Sequence, residues 1–137
     1  MLRNIEYISV YNFRDLIEFL KLNLNRDGFC SSDVGTLKHD SGHGSFFYEP
    51  YNSLFKSICL VHENNKVIGI SLIGDFQLTI SDLITLYGNY REYYSNRDCQ
   101  YFYFFNEVEM DPLITIRSSM ALSIESKIQI LNFTWQR

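Results

Sequence analysis

The segment 57–73 constrains the fold most strongly, because its pattern is that of a β-hairpin. Residues 58–63 and 66–73 are rich in isoleucine, valine and leucine, and they flank the pair Asn64 and Asn65. β-Branched side chains favour strands, and asparagine tolerates the positive φ that a tight turn between strands requires. The sequence therefore predicts two adjacent antiparallel strands in the middle of the chain.

Three later segments have the same strand character. Residues 101–105, 113–117 and 127–133 carry aromatic and β-branched side chains and are bounded by turn residues, so each is predicted to form a strand. The first two are close enough to pair as a hairpin across 106–112. Because strands that follow one another without an intervening helix pair antiparallel, we expect an antiparallel sheet of about five strands.

Two helices are predicted from capping residues and apolar spacing. Asn12 can accept from the first free N–H groups of a helix, and the apolar residues after it recur on one helical face. They are Phe13, Leu16, Ile17, Leu20 and Leu24, and they predict a helix over 12–25. Thr79 stands three residues before Asp82, as in a capping box, and Gly88 suits a helix end, so a short second helix is predicted between them.

These elements predict a single α+β domain over residues 1–137, with the two helices packed on one face of the sheet. A length of 137 residues is close to the commonest domain size. The stretch 25–50 contains four glycines among Ser and Asp residues, and we expect a long loop there. Such a loop is uncommon in a compact domain, so it is either functional or contains a short element.

Cysteine usage and hydropathy indicate the compartment. Cys30, Cys59 and Cys99 form an odd, widely spaced set, which fits neither a disulfide framework nor paired zinc ligands. Residues 1–20 lack the continuous apolar run of a secretory signal. The longest nearly apolar segment, 67–74, is far shorter than the ~20 residues of a membrane-spanning helix. We therefore expect a soluble protein of the cytoplasm with no membrane partner.

The most enzyme-like stretch is 38–44, where His39, Asp40 and His43 lie close together. A spacing of four would place both histidines on one face of a helix, where they could ligate a metal. Glycines within the stretch argue against a helix, and no third ligand stands out. Nucleophile-elbow and phosphate-binding motifs are also missing from the sequence. We expect no catalytic residue, no metal and no cofactor, and keep a hydrolase using these three residues as the less favoured alternative.

The charge balance bears on the class of partner. The chain has 12 Lys and Arg against 16 Asp and Glu, a net charge of −4, and it lacks the basic cluster that neutralises nucleic-acid phosphates. Residues 98–116 contain no Lys or Arg and four acidic side chains. We therefore expect no nucleic-acid partner, and an acidic segment that faces a basic one.

Tyrosines crowd into residues 87–94, immediately before the acidic segment. Tyrosine is amphipathic and loses little rotamer entropy on binding, so this composition is typical of an interface. The predicted partner-binding residues are Tyr87, Tyr90, Glu92, Tyr93, Tyr94, Asp98, Glu107, Glu109 and Asp111. The alternative is that the tyrosines close the edge of the core, because aromatic side chains dominate cores as well as interfaces.

A short acidic chain with aromatic-rich strands, no catalytic motif and a Leu-Thr-Ile-Ser-Asp-Leu-Ile segment at 78–84 resembles the immunity proteins of bacterial polymorphic toxin and contact-dependent growth inhibition systems. The resemblance is one of type and carries over no residue. It implies an inhibitor that covers or distorts the active site of a cognate toxin, often a basic nuclease, with the acidic segment supplying steering. The alternative is a structural domain that forms a homodimer through the same tyrosine surface.

Overall fold

The computed structural model describes residues 2–24, 31–64 and 66–135. The helical elements are a 3-10 turn at Leu2–Asn4, α1 at Phe13–Leu24, α2 at Ser31–Val34 and α3 at Ile80–Tyr87. Within the described residues the strands are β1 (Gly35–Asp40), β2 (Ser45–Pro50), β3 (Phe55–Glu63), β4 (Lys66–Gly74), β5 (Arg91–Ser95), β6 (Gln100–Phe105), β7 (Leu113–Ser118) and β8 (Ile130–Thr134).

The strands form one sheet in the order β1-β2-β3-β4-β8-β7-β6-β5, and every neighbouring pair is antiparallel. The antiparallel α+β character is therefore as predicted. The prediction of about five strands is wrong, because eight are present. The additional strands are β1, β2 and β5. Two of them, β1 and β5, are the edges of the sheet.

The predicted long loop over 25–50 is largely a second hairpin, made by β1 and β2. Its turn contains Gly42 and Gly44, whose φ angles are 78° and 94°, a region that glycine enters at little cost. A Cβ on Gly44 would lie 2.6 Å from the carbonyl oxygen of His62. The glycines thus mark a tight turn beside β3. Residues 25–30 of this prediction, including Cys30, lie outside the described residues.

The predicted helices are present, with one correction at the start of α1. The five predicted apolar residues of α1 are all buried. The side chain of Asn12 does not cap the helix: its oxygen accepts from the N–H of Ser9 at 2.8 Å, and its amide donates to the carbonyl of Tyr7 at 2.7 Å. It stabilises the turn before the helix instead. At α3 the Thr79 and Asp82 capping box is formed as predicted.

The 57–73 hairpin is formed by β3 and β4, with Asn64 at φ 51° in its turn. Asn65 lies outside the described residues. Asn64 therefore lies, as its pattern indicated, in the turn between two long strands. The register is irregular between Val61 and His62, close to this turn.

The core lies on one face of the sheet, here called the inner face. Leu72, Leu131, Ile116 and Tyr103 pair in sequence across four neighbouring strands, and each is at most 1% exposed. Phe13 of α1 contacts Phe133 of β8 with ring centroids 5.9 Å apart, and Tyr87 of α3 at 6.1 Å. Both helices therefore pack over the inner face.

The opposite, outer face is only partly covered. Side chains alternate along a strand, so the residues between the core positions point outwards. Phe102, Phe104, Thr115 and Asn132 occupy such positions and are half-buried. The sheet therefore presents one packed face and one face with aromatic side chains accessible to solvent.

Candidate binding surface

Strand β5 carries the centre of the predicted binding segment and forms an edge of the sheet. Among the described residues it pairs only on its β6 side, with Arg91 opposite Phe104 and Ser95 opposite Gln100. Its first four residues are exposed and only Ser95 is buried. The alternation that marks a half-buried strand is missing from such a segment, which is why the sequence did not indicate it.

Tyr87 and Tyr90 pack against the core. The Tyr87 ring meets Phe13 edge-on, the guanidinium of Arg14 lies 5.7 Å from its centre, and burial raises the pKa of its phenol. Tyr90 stacks on Phe105 with centroids 5.1 Å apart. These two tyrosines close the edge of the core, as the alternative interpretation of the tyrosine segment supposed.

Tyr93 and Tyr94 are different, because both remain substantially exposed. Tyr93 is 52% and Tyr94 42% exposed. Tyr93 lies on the outer face beside Phe102, whereas Tyr94 lies on the inner-face side opposite Tyr101, with centroids 4.6 Å apart. The two rings therefore flank the same edge strand on opposite sides. Glu92 shares the side of Tyr94 and is also exposed.

Two of the predicted acidic residues make short ion pairs within the chain. Glu107 accepts from the Nε of Arg91 at 2.9 Å, and Asp111 from the ammonium of Lys21 at 2.6 Å. The carboxylate of Asp111 raises the pKa of Lys21 mainly through this hydrogen bond. The acidic segment is therefore less negative in the fold than its composition suggests.

The remaining acidic residues keep exposed carboxylates close to β5. Asp98 lies in the β5–β6 turn, where it accepts from the hydroxyl of Ser95 at 3.0 Å, with the side chain of Arg97 at 3.9 Å. Glu109 is exposed in the β6–β7 connection, and Glu92 is on the strand itself. Carboxylates thus lie near both ends of the edge strand and on the strand itself, together with the guanidinium groups of Arg91 at its start and Arg97 beyond its end.

An open hollow of about 420 Å³ beside the start of β5 brings together Tyr87, Tyr90, Glu107 and Glu109. Tyr93, Tyr94 and Asp98 are not among its lining residues, and Asp98 lies at the far end of β5. The nine predicted residues therefore do not form one continuous pocket. They surround an edge strand, with Asp111 set apart by its contact with α1.

The outer face adds candidate binding residues that the sequence did not indicate. Phe102 and Phe104 stack on each other with centroids 6.2 Å apart, and the guanidinium of Arg91 lies 4.4 Å from the centre of the Phe104 ring. Together with Tyr93 they form an aromatic row on the outer face. Its signal was present in the run of five aromatics at 101–105, since an alternating strand must place some of them on each face.

The residues of the hydrolase alternative are exposed and do not converge. His39 lies on the outer face of β1 near the ring of Phe47, at 5.8 Å. Asp40 accepts from the N–H of Gly42 at 2.9 Å, which is a contact of the turn itself, and His43 is exposed in that turn. Among the described residues no group of three or more His, Cys, Asp or Glu side chains is placed to hold a metal ion.

No helix in the described part of the chain combines the length and apolar character needed to cross a membrane. Comparisons of the chain with protein-family models, with curated proteins and with solved structures found no match.

Proposed function

We propose that this chain is a non-enzymatic binding protein, an immunity protein that neutralises a cognate bacterial toxin by direct contact around β5. The observation that carries the proposal is the exposure of Tyr93 and Tyr94 on an edge strand, at 52% and 42%. Exposed tyrosines supply a large amphipathic contact area at low entropic cost, and they are enriched among the residues that dominate binding energy.

The charges around β5 favour a basic partner. Glu92, Asp98 and Glu109 hold exposed carboxylates near the two tyrosines. Asp98 makes only a long ion pair of 3.9 Å with Arg97, whereas Glu107 and Asp111 make shorter ones. The first three are therefore the acidic residues best placed to attract a positively charged toxin, such as a nuclease. Complementary charge of this kind mainly accelerates association and selects the partner.

The test is co-expression with the polypeptide encoded directly upstream of this chain. We expect that polypeptide to arrest bacterial growth, co-expression of this chain to relieve the arrest, and the two purified proteins to form a stable complex. A complex with no effect on the arrest, or relief without a complex, would contradict inhibition by direct binding.

Substitutions on β5 locate the contact. Replacing Tyr93 and Tyr94 together by Ala should weaken the complex about 30-fold or more, because two central aromatic side chains are lost. Tyr51→Ala is the matched control, since Tyr51 is 50% exposed and lies beyond β2, near the opposite edge of the sheet. It should leave the dissociation constant unchanged within about twofold. Unfolding of the double variant would instead place the tyrosines in the core.

A further inference from the structure

We propose that β5 binds the partner by accepting a strand from it, so that an extended, basic segment of the toxin continues the sheet beyond β5. This inference rests on the proposed function and specifies its contact. An edge strand presents a row of N–H and C=O groups without strand partners, which is a template for another extended chain.

The two edges of the sheet differ in how well they are protected. The register of β1 with β2 is interrupted between Leu37 and His39, and Lys38 lies at the interruption. A bulge and a lysine are two of the devices by which natural sheets prevent strand addition. The register of β5 with β6 is continuous over all five of its pairs, and β5 contains neither Lys nor Pro. The edge with exposed tyrosines is therefore also the edge open to pairing.

The two sides of β5 define the chemistry of the incoming strand. On the inner-face side, Glu92 and Tyr94 would lie beside alternate residues of that strand. A lysine or arginine there is favoured by the carboxylate and by the aromatic ring. On the outer-face side, Tyr93 continues the row formed with Phe102 and Phe104, and favours an apolar β-branched residue opposite it. The expected segment thus alternates basic and β-branched residues.

A peptide with this alternation tests the proposal. The probe is acetyl-Thr-Lys-Val-Lys-Val-Lys-Thr-amide, titrated into the ¹⁵N-labelled full chain while amide chemical shifts are recorded. We expect saturable shifts centred on residues 91–95. A peptide with glutamate in place of each lysine tests the charge, and one with proline in place of both valines tests strand pairing, because proline lacks the donor and disfavours extended pairing. Each should bind about tenfold or more weakly.

The matched protein variants are Glu92→Lys and Glu6→Lys, which make the same change of charge. Glu6 is exposed beyond the 3-10 turn, and that turn contacts α2, which packs on β1. Glu92→Lys should weaken binding of the lysine peptide at least about threefold and strengthen binding of the glutamate peptide. Glu6→Lys should change neither affinity. Circular dichroism checks that both variants are folded.

Several results would overturn the inference. These are shifts that do not centre on β5, equal binding of the proline peptide, equal behaviour of the two lysine variants, or a dimer of the chain alone that Tyr93→Lys dissociates. The last result would assign β5 to a second copy. If the upstream-encoded polypeptide binds and the Tyr93 and Tyr94 double substitution weakens that complex, but the lysine peptide does not bind β5, the strand addition fails while the proposed function stands. If the lysine peptide binds β5 but the upstream-encoded polypeptide does not bind the chain, the proposed function fails while strand addition at β5 stands.

Discussion

The phenol of Tyr103 is expected to hold the segment between β7 and β8 on the inner face of the sheet. Tyr103 is 1% exposed in the middle of β6, and its oxygen accepts from the N–H of Leu122 at 2.7 Å. That bond joins residues 19 apart in the chain. Tyr103→Phe keeps the ring and removes the hydroxyl, which also interacts with the carboxylate of Glu92, so the exchange of the Leu122 amide is the measurement specific to this bond.

The expected loss is about 1–2 kcal/mol. A net hydrogen bond contributes about 0.5–1.5 kcal/mol, and a partly buried N–H left without an acceptor adds a desolvation cost. For a chain of this length the loss corresponds to a fall of about 4–7 °C in the melting temperature. Burial raises the pKa of the Tyr103 phenol, whereas the hydrogen bond from the Leu122 N–H lowers it.

Urea unfolding and amide hydrogen exchange measure the effect. Tyr101→Phe is the matched control, because it removes the same atom from a half-buried tyrosine of the same strand, packed on Tyr94 at 4.6 Å. It should cost less than about 0.5 kcal/mol. The exchange of the Leu122 amide should accelerate in Tyr103→Phe alone. Equal losses in the two variants, or unchanged exchange at Leu122, would refute the role given to this bond.

Three further predictions concern local features. Thr79→Ala should lower the free energy of unfolding by about 1 kcal/mol in urea titrations, because it removes the acceptor for the N–H of Asp82; no change would contradict the capping role. Gly44→Ala should lower the melting temperature, since its φ is 94° and the new Cβ would meet the His62 carbonyl, whereas Gly42→Ala, with the same kind of φ but open space, should cost less. Burial lowers the pKa of the His62 imidazole below its usual 6.5. As the pH falls through 6.5, the unfolded chain takes up a proton at this side chain more readily than the folded chain does, so the fold loses stability. The urea midpoint should therefore drop between about pH 7.5 and about pH 5.5 by more in wild type than in His62→Gln.

The elements that sequence predicted correctly are those whose signals are local. The apolar stripe of α1, the capping box of α3 and the paired asparagines between β3 and β4 each lie within a dozen or so neighbouring residues. In these places the chain favours one backbone conformation before any distant contact forms, because capping, turn chemistry and amphipathic spacing all agree. Asn12 was misassigned because two local hydrogen-bonding patterns competed there, and the turn at Tyr7–Ser9 prevailed.

The strands that sequence missed are the two edge strands and the partner of one of them. β1 and β5 each have only one buried residue, so their sequences lack the hydrophobic alternation that predicts a strand. A strand of this kind forms because the neighbouring strand offers it hydrogen-bond partners, and that neighbour is known only from the fold. The glycines at 35, 42 and 44 were interpreted as a loop for the same reason: their role depends on a hairpin that the local pattern did not reveal.

The candidate site shows the same difference between what local sequence predicts and what depends on the fold. The sequence by itself determined that this chain has an acidic segment, a dense group of tyrosines and enough local signal to predict an antiparallel α+β fold. Only the tertiary structure separated Tyr87 and Tyr90, which pack on the core, from Tyr93 and Tyr94, which face solvent. It also paired Asp111 with Lys21, 90 residues away. Composition records which groups a chain carries, but burial and charge pairing depend on which distant residues the fold brings beside them.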